Sequence, residues 1–262
     1  MPVVAFRIGN EPFFTYTLLV DLGLVAAVAM LACEGRRRGW SEWRVIEALA
    51  WALVPAIGGG RLAYVAGQWL ADPSQAGQWR QPWGDGLSFP GALIAGALGL
   101  AVLAAWRRRS YLELLGAIVP GLALGQALGW LGAAAHGVSA GMPMLAAWRW
   151  APHLRDLYGV VLPRFPLQYG AALLSLVAWA VIIWGRLAND RERVACYALF
   201  TGLGLSALSW GLERRPSVLA GLSLEQALYL ALGLAGLAIG LAHLRTSVQH
   251  RTGCAGTMPG AN

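Results

Sequence analysis

Arginine and glycine stand together within one apolar stretch of this chain, a combination that suits recognition of a phosphate. Gly58, Gly59 and Gly60 precede Arg61, and Tyr64 follows within one helical turn. Glycines allow a close approach of the backbone, and a guanidinium can hold two phosphate oxygens through parallel hydrogen bonds. The alternative is a small-residue packing face whose arginine extends to the membrane surface.

Other polar side chains stand in neighbouring apolar stretches. Such groups are costly in hydrocarbon, so each is a hypothesis for a functional site, although a lone buried glutamine more often hydrogen-bonds a neighbouring helix. The segment 83–92 is an irregular turn that leads into a helix, and its free amides could bind an anion. We expect one cavity open to the outer leaflet, with Tyr16, Arg61, Ser88, Gln168 and Arg214 facing it. Besides the Arg61 segment, the candidates are Tyr16, Ser88, Gly91, Gln126, His136, Gln168, Tyr169 and Arg214.

Seven long apolar stretches must position these residues, and each is close to the ~20 residues that cross a bilayer as a helix. With 57% hydrophobic and 13% charged residues, the chain is not a soluble globular protein. The sequence predicts an all-α, polytopic membrane protein: one domain of seven transmembrane helices, residues 1–250, and a disordered tail, residues 251–262. The predicted spans are 13–33, 46–70, 87–106, 112–137, 166–185, 194–212 and 222–244.

All 20 basic residues are arginines, and their distribution predicts the orientation of the chain. Twelve follow the odd-numbered spans and eight lie elsewhere, which predicts an outside N-terminus and a cytoplasmic C-terminus. The net charge of +7 suits anionic lipid rather than nucleic acid, because the arginine clusters abut the spans. The cysteines fall at or beyond the predicted cytoplasmic span ends, so the sequence predicts no disulfide framework. The sequence shows no C-x-x-C or histidine-rich metal spacing, and we expect neither a metal nor a cofactor.

The order and spacing of several motifs resemble the prolipoprotein diacylglyceryl transferase family, from about residue 6 to residue 244. No single motif is specific, but together they cover almost the whole chain. They are Ile8-Gly9 ahead of Tyr16, Gly59-Gly60-Arg61 with Tyr64, the segments 86–91 (GLSFPG) and 121–125 (GLALG), Pro163-Arg164-x-Pro166 with Gln168 and Tyr169, and Gly202-x-Gly204 ahead of Arg214.

The resemblance implies a bacterial inner-membrane enzyme that moves the diacylglyceryl group of phosphatidylglycerol to the cysteine thiol of a lipoprotein precursor. A thioether forms and glycerol phosphate leaves, without a cofactor. The implied partners are phosphatidylglycerol, or another anionic phospholipid, and the precursor. The family motifs carry over at Tyr16, Arg61, Ser88, Gly91, Gln168, Tyr169 and Arg214.

Four positions depart from the family pattern. Pro90 stands where the family has a histidine, and Gln126 stands where it has a phosphate-binding arginine. Ala207 and Gly211 fall about where the family has an arginine and a glutamate.

Three functions are compatible with these residues. An active transferase would use Arg61 and Arg214 as a phosphate clamp, His136 as the base, and Tyr16 and Tyr169 to orient the headgroup. A noncatalytic or altered relative would bind lipid or lipoprotein without transfer. A small transporter is the third alternative.

Overall fold

A computed structural model gives the architecture of residues 4–8, 11–71, 86–144, 151–185, 187, 189–213 and 221–255. Within these ranges, seven helices are long and apolar enough to cross a membrane. The only sheets described there are two antiparallel pairs of short strands. The predicted all-α fold with seven transmembrane helices is confirmed.

In chain order the elements are β1 (Val4–Ile8), β2 (Glu11–Phe14), α1 (Thr15–Arg37), α2 (Glu42–Ala71), α3 (Phe89–Arg107), α4 (Tyr111–His136), β3 (His153–Arg155), β4 (Val161–Pro163), α5 (Leu167–Trp184), α6 (Asp190–Leu199), a π-helix (Phe200–Gly204), α7 (Leu205–Leu208), a 3-10 turn (Ser209–Gly211) and α8 (Leu224–Ala255). Helices α1 to α5 and α8 each form one span, and the elements from α6 to the 3-10 turn together form the sixth span. Ser88, Ser110 and Asn189 cap α3, α4 and α6, each accepting a hydrogen bond from a backbone amide three residues later.

Several helices run past the apolar stretches that predict them. α1 continues to Arg37 and α2 begins at Glu42. Charged residues remain within the helices near these ends because Glu34, Arg44 and Glu47 take part in ion pairs. α8 continues to Ala255 and so includes residues 251–255 of the predicted tail. The hairpins β1–β2 and β3–β4 are not predicted by the sequence.

Close helix pairs in the bundle depend on small residues at their crossings. At the crossing of α1 and α4, a Cβ added to Gly23 would lie 2.9 Å from the carbonyl oxygen of Gly125, and the converse contact is equally short. A Cβ added to Gly121 would lie 2.6 Å from the carbonyl oxygen of Ala27. Since lipid tails are as apolar as leucine, close packing of this kind is what holds transmembrane helices together.

One end of the bundle, here called the arginine end, is held by ion pairs. Glu34 is buried and accepts from Arg38 and Arg193, and Arg38 also donates to both oxygens of Asp190, at 3.0 and 2.7 Å. Burial lowers the pKa of Arg38, but pairing with Asp190 and Glu34 outweighs it and leaves the pKa raised. Glu47 accepts from the arginines at the end of α3.

The opposite end, here called the hairpin end, is organised around Arg164. Only 1% of this side chain is exposed, and its guanidinium donates to Asp156 at 2.9 Å, to Glu213 at 2.7 Å and to the carbonyl oxygen of Gly141 at 3.1 Å. The arginine therefore joins the β3–β4 hairpin to the end of the sixth span and to the segment after α4.

Candidate functional site

An apolar cavity of about 440 Å³ lies between α1, α3 and α4, towards the hairpin end. Its size falls within the ~300–1,000 Å³ of small-molecule sites. No charged side chain is among the described residues that line it. The polar contributions come from Tyr16, Gln126 and the indole of Trp130. The other lining residues are Val20, Gly23, Leu24, Ala27, Leu87, Phe89, Ala92, Leu122, Gly125, Gly129, Ala133 and Val138.

Tyr16 and His136 meet beside this cavity. Tyr16 lies in the first turn of α1 and His136 is the last residue of α4, and their ring centroids are 5.2 Å apart at an interplanar angle of 33°. Nδ1 of His136 is buried and has no hydrogen-bond partner among the described residues. A neutral imidazole with that nitrogen as its acceptor could take a proton. These two candidates are thus neighbours, although they are distant in the sequence.

Gln126 lies on the cavity wall, further from the hairpin end than His136. Its Oε1 accepts from the hydroxyls of Tyr197, at 3.1 Å, and Thr201, at 3.4 Å. The side chain is 94% buried (relative exposure 6%), and its Nε2 has no partner in the part of the chain that the structure describes. Gln126 therefore joins α4 to the sixth span, and its buried Nε2 is left as a donor next to the cavity.

Arg61 lies on α2 beside the entry to α3 rather than on the cavity wall. It donates to the carbonyl oxygen of Gly86 at 3.0 Å, and its guanidinium carbon is 5.5 Å from the centroid of the Tyr64 ring. Gly86 has φ of +103°, and a Cβ there would overlap that ring, so only glycine fits between them. Leu87, the next residue, lines the cavity.

Ser88 is a structural cap in this conformation. Its side chain is 1% exposed, its Oγ accepts from the amide of Gly91 at 3.4 Å, and its own amide donates to the carbonyl oxygen of Gly60 at 2.9 Å. The carboxyl of Glu225 on α8 also interacts with the Ser88 hydroxyl. These contacts fix the start of α3 against α2 and α8.

The candidate glycines lie in the contact between α2 and α3. A Cβ added to Gly59 would overlap Ala95, one at Gly91 would overlap Ala63, and one at Gly60 would lie 3.1 Å from the Cβ of Ala92. These contacts agree with the alternative that the glycines form a small-residue packing face. The packing also brings Arg61 to the start of α3.

Gln168 and Tyr169 lie at the start of α5, next to the Arg164 cluster. The Nε2 of Gln168 donates to the carbonyl oxygen of Val138 at 3.0 Å, whereas the Tyr169 ring is exposed. Gln168, like Arg61 and Ser88, is not among the described residues lining the cavity. Of the residues expected to face one cavity, Tyr16 lines this one, whereas the other described residues of that set are held by helix packing and capping. Arg214 lies outside the described residues.

Three of the four positions that depart from the family pattern are not among the described residues that line the cavity. Pro90 is buried in the first turn of α3, Ala207 is exposed on α7, and Gly211 is packed against Phe165. No group of three or more metal-ligating side chains occurs in the described residues.

Four residues of this region were not proposed as site residues from the sequence: Tyr197, Thr201, Arg164 and Glu225. Arg164 belongs to the motif Pro163-Arg164-x-Pro166, and Glu225 is a carboxylate within the seventh predicted span (222–244). The hydroxyls of Tyr197 and Thr201 carry no such signal. Contact with Gln126 requires the packing of the sixth span against α4.

The seven spans and the apolar cavity define an integral membrane protein with a site suited to part of a lipid. Comparison with known proteins gives the family. The prolipoprotein diacylglyceryl transferase family model matches residues 3–242, and the chain belongs to that family. The family and the apolar helices indicate a multi-pass protein of the bacterial inner membrane.

Similar proteins come from several bacteria. One, named phosphatidylglycerol--prolipoprotein diacylglyceryl transferase 2, from Clostridium perfringens, is 26% identical over 78% of this chain and 80% of its own. Two others bear the same name without the number. The protein from Leifsonia xyli is 28% identical over 97% of this chain and 78% of its own. The protein from Finegoldia magna is 25% identical over 90% of this chain and 94% of its own.

Proposed function

We propose that this protein transfers the diacylglyceryl group of phosphatidylglycerol to the cysteine thiol of a lipoprotein precursor. The observation that carries the proposal is the pair of Tyr16 and His136 beside an apolar cavity, in a chain of this family. The cavity suits a diacylglyceryl group, and the pair supplies a base next to it.

The reaction can be written with the residues present. A cysteine thiol has a pKa of about 8.5 and needs a base near neutral pH. His136 takes the thiol proton, the sulfur attacks the glycerol carbon that bears the phosphate, and a C–S bond replaces the C–O bond. Glycerol phosphate leaves with the bonding electrons. Tyr16 orients the lipid beside the imidazole, and Tyr169 orients the headgroup.

Arg61 is the cation proposed for the phosphate. It lies beside Gly86 and Leu87 at the entry to α3, where a headgroup would be held while its acyl chains enter the cavity. A guanidinium stabilises the charge that develops on a leaving phosphate. Ser88, Gly91 and the glycines of α2 hold this entry in place. Arg214 is proposed as the second cation, on the sequence alone.

The reaction requires that the hairpin end face the outside, where lipoprotein precursors emerge, and the arginine distribution supports that orientation. A membrane-impermeant thiol reagent tests it. In a variant whose other cysteines are replaced by serine, Cys254 should react only after permeabilisation. A cysteine at the exposed position Leu157, in the same background, should react in intact cells. The reverse pattern would contradict the orientation.

A noncatalytic relative that binds lipid is the second candidate, and one observation favours it. The cavity has no charged side chain among its described lining residues, and Gln126 stands where the family has a phosphate-binding arginine. A transporter is less well supported, because Asp21, the acidic residue inside the first predicted span (13–33), is exposed on α1 and does not line the cavity.

Transfer can be measured with the purified chain, labelled phosphatidylglycerol and a lipobox peptide. The expected products are a thioether-linked peptide and glycerol phosphate. His136→Gln should lower the rate by about 10²–10⁴-fold, whereas His153→Gln, in the exposed strand β3, should leave it unchanged. Lipid binding without turnover by the parent protein would reject the transferase and favour the noncatalytic relative.

A further inference from the structure

The amide nitrogen of Gln126 has no partner among the described residues, and its chemistry limits which ligand group could bind it. Two hydroxyls, from Tyr197 and Thr201, donate to Oε1 in this structure, and the Nε2 side of the amide is the one without a partner among the described residues. The remaining group is the Nε2 donor, on a side chain that is 94% buried (relative exposure 6%) and lines the cavity.

A buried donor without a partner is unfavourable, and it is commonly satisfied by a ligand or water. The partner must be an acceptor that can enter an apolar cavity. A phosphodiester fits poorly there, because no charged side chain among the described lining residues would compensate an anion removed from water. A neutral carbonyl oxygen fits, since it accepts one hydrogen bond and brings no net charge.

The diacylglyceryl group carries such acceptors in its two ester linkages. An ether linkage places an oxygen at the same position of the chain but lacks the carbonyl. Ester and ether forms of one lipid therefore have the same headgroup and nearly the same apolar chains. They differ at the one group that Gln126 would contact.

We propose that Gln126 Nε2 donates a hydrogen bond to an ester carbonyl of the bound glycerolipid, so that the cavity selects diacyl lipids over dialkyl lipids. This inference rests on the proposed function in that the cavity holds the diacylglyceryl group. It does not depend on transfer. The position that in the family serves a phosphate here serves the neutral part of the lipid, and the phosphate stays at the entry beside Arg61.

Competition binding tests the proposal directly. Native mass spectrometry of the detergent-solubilised chain, with equal amounts of diester and diether phosphatidylglycerol, gives the ratio of the two bound forms. We expect the parent protein to favour the diester about tenfold, equivalent to ~1.4 kcal/mol. Gln126→Leu and Gln126→Met should bring the ratio to about one. Because only folded, lipid-bound molecules contribute, partial unfolding of a variant does not change the ratio.

Gln226 supplies a matched control. It is a buried glutamine on α8 whose Oε1 accepts a backbone hydrogen bond and whose Nε2 is also unpartnered among the described residues, but it does not line the cavity. Gln226→Leu should keep the diester preference. A parent ratio near one, or an equal loss of preference in Gln226→Leu, would overturn the assignment to Gln126.

Two further measurements extend the test. One asks whether a lipid without a headgroup can supply the ester carbonyl, and the other distinguishes failure of this inference from failure of the proposed transfer. Replacing phosphatidylglycerol by diacylglycerol and its dialkyl analogue shows whether a lipid without a headgroup supplies the carbonyl. The same diester preference is expected, and equal binding of these two analogues would overturn the proposal. A diester preference without turnover in the transfer assay would support this inference while rejecting the transferase. Turnover with equal use of both phosphatidylglycerols would reject this inference alone.

Discussion

Replacing Arg164 by methionine should destabilise the hairpin end by about 3 kcal/mol. The side chain is 1% exposed and its main carboxylate partner, Asp156, has 11% of its side chain exposed. Removing one member of a buried pair costs about 3–5 kcal/mol, because the other charge remains without compensation. The lower value applies here, since the amides of Tyr158 and Val160 still donate to Asp156 at 2.9 and 2.8 Å. Glu213 is 36% exposed and can be hydrated.

Thermal unfolding in detergent measures this effect. About 3 kcal/mol corresponds to a fall in Tm of roughly 6–12 °C for a chain of this size. Adding Asp156→Asn should recover part of the loss, because the double variant leaves no buried charge. Arg155→Met, at an exposed neighbouring position, should change the free energy of unfolding by less than about 1 kcal/mol. A Tm for Arg164→Met within 2 °C of the parent, a range we take as about the assay's error, would refute the assignment of Arg164 as the organising residue.

Three further variants test the packing, the arginine end and the lipid entry. Gly129→Ala should leave the Tm unchanged, because a Cβ there meets nothing within 4 Å. Gly23→Ala should lower the Tm, because its Cβ would lie 2.9 Å from the carbonyl oxygen of Gly125. Equal Tm values for the two variants would contradict the packing of α1 against α4. Glu47→Gln should cost about 1–3 kcal/mol of unfolding free energy, since the buried carboxylate accepts from two arginines at 2.6 and 3.1 Å, and an unchanged Tm would argue against this. Arg61→Lys should weaken binding of phosphatidylglycerol about tenfold in a titration of the purified protein, because lysine lacks the planar fork; affinity equal to the parent's would make Arg61 a surface anchor only.

The transmembrane fold was predictable because hydrocarbon imposes a strong rule on sequence. Every span needs about 20 apolar residues. Each of the seven stretches can be recognised by this length alone, with no knowledge of how the helices pack. The helix ends were less predictable, since they depend on tertiary contacts. α1 reaches Arg37 because Glu34 pairs with Arg38 and Arg193, and this pairing requires α6 to lie nearby.

The candidate site was predictable in residue type and less so in arrangement. Polar groups in apolar stretches identified Tyr16, Gln126 and His136, which the structure brings to or beside one cavity. The separation of Arg61 from the cavity wall could not be predicted. It depends on the rotation of α2 against α3, which is set by close contacts between small residues of both helices, and hydrophobic patterning does not report such contacts.

The π-helix in the sixth span has a consequence for insertions and deletions. A π turn contains one residue more than the α turn it replaces, and each residue of an α-helix advances by about 100°. Deleting one residue between Phe200 and Gly204 would therefore restore an α turn, and the segment after it would keep nearly the same orientation. Leu205 would stay buried with Tyr229. A one-residue deletion in the α-helix before this turn has no extra residue to remove, and it would turn the segment after it by roughly that angle. A homologue one residue shorter at the π-helix would therefore present the same face of the sixth span to α8.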